Sequence, residues 1–286
     1  MDIYKIITSN KPSLSFEVFP PKTNDAFETV RSAALDIAKL SPSYMSITYG
    51  AGGSTAKYTA EIASVLLANG VTPLTHLTCV GATKESIQQK LNDLKERGIE
   101  NILALRGDIP KGMSADQLEY RYASDLVNEI QKFGGFCLGG ACYPESHPES
   151  ANSSDDIENL KIKVQNGCKF LTTQMFFDNN ILYNFMYRLY KAHIDVPVVA
   201  GIMPVTNAAQ IKRIMSISQS ALPQKFVRIV DRYGDDPNAM KQAGIAFATE
   251  QIIDLFANGV NAVHVYSMNK PDVAKSIKDN ISAIVG

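Results

Sequence analysis

Two short runs end in carboxylates that a folded chain cannot place cheaply: Phe16-Glu17-Val18-Phe19-Pro20-Pro21-Lys22 and Leu103-Ala104-Leu105-Arg106-Gly107-Asp108. Each is apolar and strand-like up to its acidic residue. A carboxylate at the end of a buried strand is costly unless it is paired, hydrated at a cavity mouth, or used. Two of them, far apart in sequence and placed alike, point to one cavity lined by the ends of parallel strands. The chemistry open to such a pair is proton transfer and the stabilisation of a nearby positive charge.

The elements that must position them alternate along the whole chain. Strand candidates are 14–18, 44–49, 73–80, 101–105, 136–143, 170–174, 196–201 and 262–266. Between them, Phe27, Val30, Ala34 and Ile37 recur at steps of three and four. So do Ile87, Leu91 and Leu94, in a helix that stops at Gly98, and Leu182, Phe185, Met186 and Leu189. Alternating strand and helix predicts parallel strands joined by crossover helices. About eight such units is the count of an α/β fold of the closed (β/α)8 TIM barrel type, one domain over 1–286. A doubly wound sheet is the alternative, but no GxGxxG follows an early strand. Gly50-Ala51-Gly52-Gly53 and Gly134-Gly135 lack that spacing. The stretch 223–237 is the least regular and is expected to be a long loop before the last strand.

In such a barrel the active site lies at the C-terminal strand ends. The residues there are Glu17, Thr48 with Tyr49, His76 within the third strand, Arg106 with Asp108, Tyr143, Gln174 and Tyr266. The ring is polar, has no His–carboxylate cluster of metal-ligand spacing, and carries no nucleophile signature. It suits a large polar organic cofactor and a proton-transfer step.

Composition narrows the class. Lys+Arg total 28 and Asp+Glu 29 in 286 residues, which leaves no electrostatic footprint for nucleic acid or an anionic membrane. No apolar run is long enough to span a bilayer, and the start is not a signal peptide. Cys79, Cys137, Cys142 and Cys168 form no CxxC pair, so buried free thiols and a reducing, cytoplasmic setting are expected.

Nine stretches, in order, resemble the 5,10-methylenetetrahydrofolate reductases, a family of FAD-dependent (β/α)8 barrels: FEVFPPK at 16–22, SITYG at 46–50, HLTCV at 76–80, ALRGD at 104–108, YASDLV at 122–127, YPESHPE at 143–149, TTQMFFD at 172–178, GIMPV at 201–205 and HVYSMN at 264–269. The resemblance covers nearly the whole chain. It implies reduction of methylenetetrahydrofolate to 5-methyltetrahydrofolate, with NADH or NADPH passing a hydride to FAD and the folate then taking it.

Carried over residue by residue, the resemblance implies that Glu17 is the general acid that protonates a folate nitrogen. That role calls for a carboxyl raised by mostly apolar surroundings, which Phe16, Val18 and Phe19 would supply. The competing reading is a structural ion pair. Asp108 is placed beside the flavin and the pterin, where its charge favours a cationic folate; its plain alternative is a turn aspartate. Gly107 lets the backbone approach the ring. Thr48, Tyr49, His76, Arg106, Ala123, Tyr143 and His147 match FAD positions, although a lone strand histidine such as His76 is more often ordinary core. Asp156, Asn159 and Lys163 fall on one helical face, suited to a ribose and pyrophosphate or else simply solvated, with Asp156 completing a Ser153 capping box. Gln174 matches the residue that serves both folate and nicotinamide, since an amide donates and accepts. Phe176 and Phe177 read as packing. Lys270 stands where some relatives carry Arg, and Ile162 where some carry a basic FAD contact. No C-terminal regulatory domain is expected.

Two other readings stay open. A phosphate-binding aldolase or lyase on the same barrel would need a Schiff-base lysine at a strand end or a phosphate loop after the seventh and eighth strands, and no lysine sits inside a strand candidate. A same-fold flavoprotein subunit would take electrons from a protein partner. Exposed barrel helices also favour a homo-oligomer.

Overall fold

The computed structural model describes residues 1–21, 23–49, 56–109, 118–217 and 222–286. Lys22 and the Gly50-Ala51-Gly52-Gly53 run lie outside them. Eight strands, β1 (Ser13–Val18), β2 (Met45–Ile47), β3 (Pro73–Thr78), β4 (Asn101–Leu105), β5 (Cys137–Cys142), β6 (Phe170–Thr173), β7 (Val198–Ile202) and β8 (Ala262–Tyr266), pair in chain order, and β8 returns to β1. Every pairing is parallel. This is the expected (β/α)8 barrel, and each strand candidate holds one strand.

The helices are α1 (Ile3–Ile7), α2 (Phe27–Ala38), α3 (Ala56–Ala68), α4 (Lys84–Glu96), α5 (Ala123–Phe133), α6 (Ser153–Gln165), α7 (Asn179–Lys191), α8 (Ala208–Ile217), α9 (Gln224–Tyr233), α10 (Pro237–Ala257), α11 (Pro271–Asn280) and α12 (Ser282–Val285). Local chemistry sets their ends. Thr83 and Ser86 form a reciprocal cap on α4, whose Ile87, Leu91 and Leu94 face the barrel. Asp236 caps α10 and Pro237 starts it with the φ a first turn needs. Gly244 in α10 lies where an added Cβ would sit 1.8 Å from the Val205 carbonyl oxygen, so the helix crosses the β7 loop in backbone contact. Among the described residues, no helix is long and apolar enough to cross a membrane.

The stretch expected as a loop at 223–237 is mostly helix. Phe226, Ile229 and Val230 recur at steps of three and four and pack with Met175, Phe177, Val205 and Met240. Lys225, Arg228 and Arg232 take the opposite, exposed side. The turn residues Gly234, Asp235 and Asp236 hide that periodicity in the sequence, yet they occupy only the junction with α10.

Strand alternation sorts the barrel into an outer shell and two inner layers. Leu14, Phe16 and Val18 of β1, with Met45, Ile47, Val263 and Val265, bury against the helices. Each such side chain is worth about 1.5–3 kcal/mol of transfer free energy. The alternate residues point inward. At the N-terminal end they are apolar: Tyr44, Leu74, Leu103, Cys137, Phe170, Val199 and Ala262, closed off by Ile3 and Ile7 of α1. Buried Asn101 holds that plug, accepting from Ile3 N–H at 3.0 Å and donating to the carbonyls of Met1 and Pro73. Nearer the mouth the inward residues turn polar: Ser15, Glu17, Ser46, His76, Thr172 and His264.

Candidate active site

The polar layer is built around Glu17. The β1 register sets it beside Ser46 of β2 and Tyr266 of β8. The Ser46 hydroxyl donates to Glu17 Oε2 at 3.2 Å, and the Nε2 atoms of His76 and His264 lie 3.5 and 3.8 Å from the same oxygen. His264 is also hydrogen bonded to Ser46 Oγ at 2.9 Å through Nε2 and to Ser15 Oγ at 2.7 Å through Nδ1. The Tyr44 ring stacks on it at 5.7 Å and the Tyr266 ring meets it edge-on.

These neighbours overturn the expectation of a raised acid in apolar surroundings. Burial alone raises the Glu17 carboxyl, but hydrogen bonding to the His264 imidazole and the Ser46 hydroxyl outweighs it. They hold the group below the ordinary carboxylate range. The apolar residues Phe16 and Val18 face the outer shell instead. Burial pushes His76 down to about 4, so it is neutral at pH 7.

The chain of β8 clamps the segment that follows Glu17. Ser267 Oγ donates to the Glu17 carbonyl. Asn269 accepts from Phe19 N–H and donates to Phe19 O, both at 2.9 Å. Met268 and Asn269 both adopt φ of 53°, a conformation that costs a non-glycine residue about 1–2 kcal/mol.

The β4 and β5 loops meet through Arg106. Its guanidinium makes a bidentate pair with Glu149 at 2.5 and 2.6 Å, which lowers the Glu149 carboxyl and raises Arg106. Gly107 has φ +85°, and an added Cβ would approach Thr78 Cβ at 3.1 Å. Glycine is therefore required there by backbone conformation and by β3. Asp108 is exposed at the rim. Tyr143 and His147 form an edge-on pair with centroids 4.6 Å apart. Ser146 beside them has φ of 75°.

On α6 the cap is Asn152, accepting from the N–H groups of Ser154 and Asp155, not Ser153. Asp156 is no capping-box partner: it is buried and accepts from Ser150 Oγ at 3.2 Å. Lys163 turns inward too, donating to the Ala141 carbonyl at 2.6 Å, and burial lowers it. Asn159 is exposed. Ala123 opens α5. Thr48 and Tyr49 follow β2, with the Lys90 ammonium 5.4 Å from the Tyr49 ring centre. Gln174 follows β6; its N–H donates to Cys142 O and its side-chain oxygen accepts from Met175 N–H. Lys270 reaches across to Thr206 Oγ1 at 2.8 Å. Phe176 and Phe177 are buried packing residues, and all four cysteines are free and buried.

Ser15, Ser46, His264 and Glu149 carried no role in the sequence reading. The signal for the first three is the alternation itself: polar residues at 13, 15 and 17 of β1, 46 of β2 and 264 of β8 interrupt otherwise apolar strands. A cavity of about 680 Å³ lies at the opposite end of the barrel, walled by Ile7, Met186, His193 and Val260, and holds none of these groups.

The residues fit a flavin dinucleotide on one observation. The buried His76 Nε2 in the polar inner layer has no hydrogen-bond partner within the protein, and the resemblance assigns its position to the cofactor, whereas the Tyr49 ring packs on the outer core beside Lys90 of α4.

A family model described as methylenetetrahydrofolate reductase matches residues 2–282. The 5,10-methylenetetrahydrofolate reductase of Pectobacterium carotovorum subsp. carotovorum is 34% identical over 266 residues, 93% of this chain and 88% of that protein. The enzyme of that name from Escherichia coli (strain K12) is 33% identical, covering 93% and 89%. An Arabidopsis thaliana protein named methylenetetrahydrofolate reductase (NADH) 1 is 34% identical over 99% of this chain, which spans 50% of the plant protein. Among solved structures, a Clostridium thermocellum protein described as binding two copies of 5-methyl-5,6,7,8-tetrahydrofolic acid superposes with TM-score 0.64 at 14% identity, covering 99% of both chains. An oxaloacetate acetylhydrolase does so with TM-score 0.55 at 9% identity, covering 100% of this chain and 88% of its own; these two likenesses are of fold. The match along almost the full length, over a barrel whose mouth gathers Glu17, Arg106, Tyr143 and Gln174, places the chain in the methylenetetrahydrofolate reductase family.

Proposed function

We propose that this chain reduces 5,10-methylenetetrahydrofolate to 5-methyltetrahydrofolate, with NADH or NADPH as donor and Glu17 as the acid. The observation that carries the reading is Glu17 itself: a strand-end carboxylate at the barrel mouth, within 4 Å of two imidazoles. FAD, when bound, supplies a carrier that accepts a hydride from the nicotinamide and gives it to the folate. Thr48, Tyr49, His76, Arg106, Gly107, Asp108, Ala123, Tyr143, His147, Asp156, Asn159 and Lys163 are the residues that would hold it. Asp156 and Lys163 lie inward on α6 and suit the ribose and pyrophosphate end, while Asn159 meets it from the exposed side.

Glu17, Asp108, Gln174 and Lys270 are assigned to the folate. Protonation of a folate nitrogen by Glu17 opens the five-membered ring to an iminium whose carbon accepts the hydride. A positioned acid of this kind is worth on the order of 10²–10⁴-fold. Asp108 at the rim favours the cationic iminium by its charge. Gln174 retains its side-chain NH₂ for whichever substrate is in place, because only its oxygen is engaged by Met175 N–H. Lys270 offers a cation to the glutamate tail, as a point charge without the fork of arginine.

Anaerobic absorbance tests the reading. Bleaching of a flavin spectrum by NADH or NADPH, and its return on adding methylenetetrahydrofolate, is expected, with Glu17→Gln blocking only the second step. A protein that cannot be reconstituted with FAD refutes the cofactor assignment. A yellow protein that neither nicotinamide bleaches refutes the direct donor and moves the electron source to a partner protein.

A further inference from the structure

Glu17 is held low in pKa, yet the proposed reaction asks it for a proton. The geometry behind it resolves the conflict. Four contacts run in line: Glu17 Oε2 to Ser46 Oγ at 3.2 Å, Ser46 Oγ to His264 Nε2 at 2.9 Å, His264 Nδ1 to Ser15 Oγ at 2.7 Å, and Ser15 Oγ to the Val263 carbonyl at 3.1 Å. Ser15, Ser46 and His264 are fully buried, so water does not complete their bonding.

The protons can be counted. The Val263 carbonyl only accepts, so where Ser15 donates to it Ser15 itself receives a proton from His264 Nδ1–H. Ser46 has one proton for two neighbours. If it donates to His264, Glu17 must carry a proton to fill the last link. If it donates to Glu17, His264 must carry a second proton on Nε2. Both fully bonded arrangements hold four protons and differ only in whether the mobile one sits on Glu17 or on His264. A neutral ring beside an ionised Glu17 fills at most three of the four links.

We propose that His264 stores the proton that Glu17 delivers, and that Ser46 passes it. This rests on Glu17 being the acid. From the arrangement with the mobile proton on His264, the Ser46 hydroxyl proton moves to Glu17 as the His264 Nε2 proton moves to Ser46, and the Glu17 O–H bond so formed then breaks as the folate N–H bond forms. One proton leaves His264 in net, no heavy atom need move, and solvent restores it afterwards. Charge balance agrees. An ionised carboxylate in the barrel needs a compensating cation. The titratable groups facing it are His76 of β3, His264 and Tyr266 of β8, and Tyr44 beside β2. Burial holds His76 neutral, and burial keeps both phenols protonated. The hydrogen-bonded line through Ser46 to His264 is the route that leads a proton away from Glu17.

Nitrogen-15 NMR of the histidine-labelled flavoprotein reads this without turnover, with His264 assigned by its loss in His264→Gln. Both ring nitrogens protonated at pH 7 in the wild type, and only one in Glu17→Gln, is the expected result. A singly protonated ring in the wild type overturns the proposal. Rapid mixing of the pre-reduced flavoprotein with methylenetetrahydrofolate is the second arm. Ser46→Ala is expected to slow flavin reoxidation on the order of 10²-fold, and Ser46→Thr to restore most of it. In His264→Gln the rate should fall about tenfold per pH unit through the neutral range, as for an acid that holds its own proton. Wild-type rates and pH profile in both Ser46→Ala and His264→Gln overturn the relay. A Glu17→Gln protein that still reoxidises at the wild-type rate overturns the role of Glu17 instead.

Discussion

Replacing His76 by glutamine tests the electrostatics of the polar layer through stability alone. His76 is 8% exposed, and burial takes it from 6.5 down to about 4. The sign follows from linkage. Between those values the unfolded chain binds a proton that the folded chain refuses, so stability is complete above pH 6.5 and declines as pH falls toward 4. The decline is about 1.4 kcal/mol per pH unit, so this one group accounts for about 3 kcal/mol over the interval. Glutamine has nothing to titrate. Urea unfolding of wild type and His76→Gln, at matched flavin occupancy and from pH 7.5 to 4, should give curves that converge as the solution is acidified. The variant is the less stable at neutral pH and recovers about 3 kcal/mol relative to the wild type by pH 4. Parallel curves would show that His76 titrates alike in both states, and the account of a buried, neutral imidazole beside Glu17 would be refuted.

Other substitutions probe other links. Gly244→Ala, which in an ordinary helix adds up to about 1 kcal/mol of stability, should instead cost 2 kcal/mol or more because the new Cβ would meet the Val205 carbonyl; a raised melting temperature would contradict that contact. Asn152→Ala removes the α6 cap and should cost about 1 kcal/mol, read as a lower urea midpoint with unchanged slope. Glu149→Gln breaks the bidentate hold on Arg106. After discounting for exposure the pair is worth about 1 kcal/mol, so FAD should bind about fivefold more weakly by flavin fluorescence, and unchanged affinity would free Arg106 from that role.

The barrel was legible because its signal is repeated. Eight strand runs and the helical steps between them each carry little weight, but closure needs all of them in order. The 223–237 stretch escaped because glycine, acids and proline at 234–237 outweigh the Phe226–Ile229–Val230 stripe to the eye. At the site, sequence could name Glu17 but not its environment. Whether Phe16 and Val18 surround that carboxyl or back away from it is a question of strand parity: neighbours in a strand face opposite sides. The same parity brings Ser15 and His264, 249 residues apart, to hydrogen-bond distance. Asp156 and Lys163 were legible as a helical pair, whereas the inward rotation that buries them depends on where β5 lies.

The clamp between Asn269 and Phe19 joins residues 250 positions apart. During synthesis the first strand is finished long before its partner exists, so Glu17 leaves the ribosome with no fixed backbone behind it. Its carbonyl is tied only when Ser267 arrives, and β1 gains its second neighbour only when β8 does. Such late, distant pairing is the slow part of folding, since loop-closure entropy must be met before the contacts form. Assembly of the Glu17 site and closure of the barrel are therefore one event. A nascent or truncated chain that still lacks 262–269 also lacks the contacts that fix the Glu17 backbone, so an ordered Glu17 site reports the last step of folding.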